Sequence, residues 1–274
     1  MNQLDATVLT SLLSPRPGPV LTWFESPAIK LDGSVDTAQG RDRIELSGPV
    51  ARRWIAKTDN FMASEFPFGA TGFTTSLPAH WRTPFWIAVC WMRGLEKRAG
   101  GTTGGLDLAV SDSLGFLTAL QEEIGPDVLI AQTTDSLAFA WPGELPFGIT
   151  DGIADVMSYA DEVEMPHTAN QDTLLVSEGV EWFSADLAAG AAPLTLKGIL
   201  ATDYLGLDEE ALNDLAGQRV LVTTGNPTLF TVQLLQLWLH GASVVWVPGG
   251  HDAERIGSSE RVTLTIGEGS PHSE

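Results

Sequence analysis

The sequence has a single cysteine, Cys90, in 274 residues. One cysteine excludes an intrachain disulfide and any thiolate metal cluster built within one chain. Set in Ala88-Val89-Cys90-Trp91, it reads as a small buried hydrophobe and not as a nucleophile. Basic residues are also scarce, with 15 Lys and Arg against 35 Asp and Glu and a net charge of −20. Phosphate backbones and anionic membrane surfaces need the opposite balance, so neither nucleic acid nor membrane is expected as a partner. Long apolar runs are missing. The most apolar stretch, residues 85–92, lies between Arg82 and Arg93 and suits a core helix; a span needs ~18–20 apolar residues. The first five residues carry no positive charge ahead of an apolar stretch, so they do not read as a signal peptide. A reducing, cytoplasmic setting is the expectation.

Catalytic signatures are absent as well. There is no HExxH, GxSxG, Walker loop or paired-cysteine zinc motif, and no two of the five histidines share metal-ligand spacing. No catalytic residue, metal site or cofactor is assigned on this ground.

What is present is ample core material: 43% hydrophobic residues, nine Trp and eleven Phe. Apolar residues at helical spacing over 3–13 stop at Ser14-Pro15. Strands are predicted at 20–24 and 43–46. Ser47 then reads as a helix N-cap with Pro49 in the first turn, and that helix ends before Pro67. A strand at 71–76 leads to an apolar helix closed by Gly94. Strands at 106–110, 128–131 and 137–141, with a helix at 113–123, continue the alternation, and a short helix falls near 153–159. The order implies helices packed on a mostly parallel sheet.

Turn formers and acids between 143 and 172 read as a boundary. Beyond it come a strand at 174–176, helices at 182–189 and 209–215, a strand at 219–223, an apolar helix at 228–239 and a strand at 243–247. The order of strand, helix, strand and glycine-closed apolar helix occurs in both parts. The fold expectation is therefore two similar α/β subdomains with mostly parallel sheets, 1–168 and 169–274.

Three loops invite a functional reading. The glycine-rich run 100–105 follows a helix and leads into a strand, the reverse of the order that aims N–H groups at an anion, so it reads as a connection. Thr223-Thr224-Gly225-Asn226-Pro227 joins a strand to a helix start, where free N–H groups can meet a phosphate or carboxylate; with no Lys or Arg nearby, an ordinary capped turn is the alternative reading and the preferred one. His251 follows a strand and lies where it can line a carboxyl-end crevice, with a plain surface loop as the alternative and preferred reading.

The segments 43–47 through 91–94 and 220–222 through 240–245 resemble the acyl-activating (AMP-forming) family of acyl-CoA synthetases, luciferases and adenylation domains. The chain is also similar to a small, uncharacterised actinobacterial family related to AMP-binding enzymes. Ser76-Leu77-Pro78-Ala79-His80-Trp81 stands at the family's strand-to-helix turn, and Gly241-Ala242-Ser243-Val244-Val245 at its later glycine–alanine–x–valine–valine step. The resemblance implies the N-terminal part of the family's large domain, with two similar halves. It also puts the phosphate loop after 174–176, where Ser177-Glu178-Gly179-Val180-Glu181-Trp182 has two glutamates and no lysine. Asn226-Pro227-Thr228-Leu229-Phe230 lacks the family's histidine, and the family's later motifs have no counterpart. The resemblance thus implies a truncated, catalytically degenerate relative for which adenylate formation is not expected.

Such a protein would bind a nucleotide, an acyl compound or a protein partner, with Ser177, Gly179, Thr223, Thr224, Gly225 and His251 as the binding candidates. The alternatives are altered chemistry in the crevice, using His251, Asp252 and Thr224, or a non-catalytic oligomeric subunit. The helix over 228–239, apolar nearly all round, needs cover on several sides, and this is the reason for expecting a homo-oligomer.

Overall fold

The computed structural model describes residues 3–27, 42–66, 69–99, 105–177, 194–201 and 204–267. The predicted helix at 182–189, the loop from Glu178 onward, Gly179 and most of the glycine-rich run at 100–105 lie outside them.

Two sheets form the frame. One runs in the order β10-β8-β9-β1-β2, with β1 (Pro19–Phe24), β2 (Arg43–Ser47), β8 (Arg219–Val222), β9 (Ser243–Trp246) and β10 (Leu264–Ile266). All its pairings are parallel except β1 with β2. The other runs β4-β3-β5-β6-β7, with β3 (Gly72–Thr75), β4 (Glu96–Lys97), β5 (Leu108–Ser111), β6 (Val128–Ala131) and β7 (Ile149–Asp151), and is parallel throughout. The sheets do not divide the chain at 168/169. β1 and β2, from the expected first subdomain, pair in the sheet of β8–β10.

Strand alternation sorts the cores. Val220 and Val222 of β8, Val244 and Trp246 of β9, and Leu108, Val110 and Ile130 of the other sheet all face one shared interior. Their neighbours face outward into two smaller cores: Leu221 and Val245 pack with Ile256, while Ala109, Leu129 and Ala131 pack with Leu117 and Leu120. The shared interior is filled by α1 (Ala6–Leu13), α2 (Gly48–Glu65), α3 (Thr83–Met92) and α8 (Pro227–Leu239), so a helical layer lies between the sheets. α4 (Leu114–Glu123) and α9 (Ala253–Ser259) cover the outer faces. The short α5 (Ala154–Met157), α6 (Leu196–Ala201) and α7 (Glu209–Asn213) complete the described α-helices.

The two β–α–β units at the centre share a local design. β3 leads through α3 to Gly94 and β4; β8 leads through α8 to Gly241 and β9. Each glycine has a left-handed φ, +84° and +81°, which turns the chain sharply from the helix end into the next strand. α3 and α8 meet at Phe85 and Trp238, whose rings lie 6.2 Å apart. α8 is buried from Thr228 to Trp238. The cover that its all-round apolarity requires therefore comes from the same chain, and β10 also lies along β8, which would otherwise be the sheet edge.

One predicted strand is not formed. Residues 137–141 lie in a turn-rich loop, with Leu137 and Phe139 exposed, and the edge of the sheet is β7. The reason is local hydrogen bonding: Asp135 accepts the Leu137 N–H (3.0 Å) and Asp151 accepts the Trp141 N–H (2.7 Å), which diverts both donors from a ladder. The predicted strand at 174–176 is reduced to single bridges, Lys97 with Val176 and Leu174 with Thr195.

Candidate functional site

Because β10, β8, β9 and β1 are parallel, their carboxyl ends and the turns that follow β8 and β9 gather at one edge. Carboxyl-end loops are where open α/β sheets bind ligands. Val247 N–H donates to Val222 O (2.9 Å) and Gly249 N–H to Thr223 O (3.0 Å), which ties the turn after β8 to the turn after β9. Ser26 Oγ donates to Pro248 O (3.2 Å), bringing in the end of β1. A Cβ built on Gly225 would meet only the Gly249 nitrogen, at 3.8 Å, so the approach is close and still leaves room. One built on Gly249 would stand 3.6 Å from His251 Cδ2. Thr223, Gly225 and His251 are thus brought together.

Thr224 is not turned toward that space. It is 1% exposed, its Oγ1 accepts the Asn226 N–H (3.1 Å), and its carbonyl accepts the Trp246 indole N–H (2.9 Å). Ser177 stands on the other sheet, where its N–H and Oγ both donate to Lys97 O, at 3.0 and 3.3 Å. Asp252 adopts a left-handed φ of +59° at the start of α9.

The helix start itself is filled from within. Asn226 Oδ1 accepts the N–H groups of Thr228 (2.9 Å) and Leu229 (3.1 Å), and Pro227 has none to give. These are the donors an anion would use. The spacing that makes 223–226 look like an anion cradle is therefore that of a self-capped helix.

A second cluster, missed in the sequence, lies between the sheets beside the end of β1. His80 and Arg82 are 4% and 3% exposed. The His80 ring packs edge-on against Trp23 (centroids 4.8 Å), and Trp23 donates its indole N–H to Ala79 O (3.0 Å). His80 Nδ1 accepts the Arg82 N–H (3.3 Å), so the ring proton sits on Nε2, facing Ser136 Oγ (3.4 Å). Burial, aided by the Arg82 charge, lowers the His80 pKa to about 3, so the ring is neutral at physiological pH.

Arg82 lies over the Trp81 ring (4.4 Å) and donates to the carbonyls of Asp135 (2.6 Å), Ser136 (3.2 Å) and Ala138 (3.3 Å). Burial pulls its pKa down to about 10. Arg82 Nε and Trp81 Nε1 are buried without an acceptor among the described residues. A histidine and an arginine flanking a tryptophan at the mouth of an apolar helix were the available signal. Their partners come from 133–138, far along the chain, and could not be read locally.

Cys90 is fully buried, and burial pushes its thiol well above the ordinary range, away from nucleophilic chemistry. Among the described residues no group of three or more His, Cys, Asp or Glu is placed to hold a metal ion, and no helix is long and apolar enough to cross a membrane.

Comparison with known proteins gives this architecture a context. No protein-family profile matches the chain. A Mycobacterium tuberculosis protein, whose name gives a sequence family and no activity, is 28% identical over 272 residues, covering 96% of this chain and 98% of its own. Among solved structures, an acetoacetyl-CoA synthetase from Streptomyces lividans superposes with a TM-score of 0.65 at 15% identity, and an acyl-CoA synthetase from Brucella canis with 0.62 at 16%. Each matches 96% of this chain, which spans 42% and 47% of their lengths, respectively. The chain has the α/β fold of about half of an acyl-CoA synthetase, and its relation to the adenylate-forming enzyme fold is plain. Identities this low speak for the fold alone.

Proposed function

We propose that this chain is a catalytically degenerate relative of the acyl-activating enzymes that binds a nucleotide or acyl compound at the carboxyl-end crevice and forms no acyl-adenylate. The observation that carries the proposal is Asn226: its side chain occupies the N–H groups that would otherwise receive a charged oxygen at the start of α8. Adenylation needs donors aimed at the charge that develops on the pyrophosphate. The loop 177–182 supplies no lysine or arginine, and the turn 223–226 none either. Binding is favoured by the open approach at Gly225 and Gly249 beside the His251 ring, in the position where parallel sheets hold ligands.

A thermal-shift screen of nucleotides, acyl-CoAs and fatty acids tests the binding half. A ligand at 100 times its Kd adds about 2.7 kcal/mol of stability, a readily measured rise in Tm. Gly225→Leu, whose Cβ would meet only the Gly249 nitrogen at 3.8 Å, extends a side chain into the approach and should abolish the shift, with Gly225→Ala and the ligand-free Tm of both variants as the check on folding. A panel without any shift, or a shift that survives in Gly225→Leu, counts against the crevice.

A further inference from the structure

The loop between β6 and β7 displays apolar side chains to solvent. Leu137 is 74% exposed, Phe139 89% and Phe147 99%, the three largest such values among the exposed hydrophobic residues of the described chain. The backbone beneath them is fixed. Arg82, at the start of α3, donates to the carbonyls of Asp135, Ser136 and Ala138; Asp135 accepts the Leu137 N–H and Asp151 the Trp141 N–H. Trp141 and Leu145 pack into the core under α4, and Gln121 of α4 reaches Phe147 O (3.4 Å). A loop so tethered presents its aromatics with little ordering left to do on binding.

Arg82 beneath the loop is 3% exposed and held by the loop's own carbonyls, and along the chain on both sides the charge has one sign. Residues 105–177 contain thirteen Asp and Glu and no Lys or Arg. Glu122 and Glu123 at the end of α4, and Glu144 within the loop, are exposed.

We propose that this loop is a docking surface for a cationic protein segment, one whose Lys or Arg residues surround an apolar stripe that covers Phe139 and Phe147. Charge selects the occupant. A second copy of the same face would bring acid against acid, and an anionic membrane would do the same, whereas a basic segment gains on approach and on docking. Exposed aromatics within a charged rim are the anchors that such interfaces use. The inference stands apart from whatever the crevice at 223–251 holds.

The test is fluorescence anisotropy of the full chain with a labelled Lys/Leu amphipathic helix of about 18 residues, beside a Glu/Leu peptide of the same pattern. Phosphatidylserine vesicles and light scattering of the chain alone are the two further arms. The Lys/Leu peptide should bind, weaken in high salt, and lose at least about tenfold in affinity in Phe139→Ser/Phe147→Ser and in Glu123→Lys/Glu144→Lys. Both pairs of side chains are exposed, so unchanged Tm values confirm that the variants fold. The proposal is overturned by peptide affinity that both variants keep, by equal binding of the Glu/Leu peptide, or by no binding up to about 1 mM. Vesicle binding that needs Phe139 and Phe147, or a dimer that their loss dissolves, overturns it too by assigning the surface elsewhere.

Discussion

At the residue scale the molecule is decided by a few polar groups in apolar company. His80 is the clearest case. In the unfolded chain it takes a proton below its ordinary pKa of 6.5; in the fold it stays neutral down to about 3. Its contribution is therefore complete above pH 6.5 and is lost as pH falls, at up to ~1.4 kcal/mol per pH unit. His80→Asn keeps an acceptor for the Arg82 N–H and removes the titration. Melting curves below pH 6.5 should show a flatter fall of Tm in the variant than in the parent, and parallel slopes would contradict the assignment. Asn226 gives a second prediction. Asn226→Ala leaves two N–H groups uncapped and should cost about 1 kcal/mol in denaturant unfolding, while Asn226→Asp, which keeps the acceptor, should cost less. Equal losses would mean that the cap contributes nothing.

At the element scale, the repeated helix–glycine–strand corner positions both apolar helices. Gly241→Ala meets nothing nearer than 3.5 Å, so its penalty is the left-handed backbone itself, about 1–2 kcal/mol. A Tm within error of the parent would refute that reading. Much of this scale was legible. The glycines after α3 and α8, the helix start at Ser47 with Pro49 in the first turn, and the apolar strands at 128–131 and 219–222 announced themselves through composition and position, although the Ser47 side chain makes no capping hydrogen bond. The strand expected at 137–141 failed because alternation of Leu137, Phe139 and Trp141 mimics a half-buried strand, while Asp135 and Asp151, the latter ten residues past Trp141, take the backbone donors. β4, two residues long, carries too little pattern to be seen. The candidate site was legible in part: the turn 223–226 and the turn that leads to His251 do meet, but the inward Thr224 and the buried His80–Arg82 pair depend on contacts from distant strands.

At the scale of the whole molecule, the indole groups tie the layers together. Trp238 on α8 donates to Val20 O of β1 (3.0 Å), Trp91 on α3 to Leu175 O (2.8 Å), and Trp86 to Gln132 Oε1 at the end of β6 (2.9 Å). Pairing β1 and β2 with strands from the far end of the chain makes one interior of what the sequence order presents as two halves. It also removes the motive for expecting self-association, since the helix that needed cover has it. What remains is an acyl-CoA-synthetase-like frame whose helix N-terminus is capped by its own asparagine. The most direct test of that account is ATP–pyrophosphate exchange by the purified full chain across a broad panel of carboxylic acids. The expected result is exchange indistinguishable from a heat-killed control with every acid. Acid-dependent exchange above that control would contradict the account.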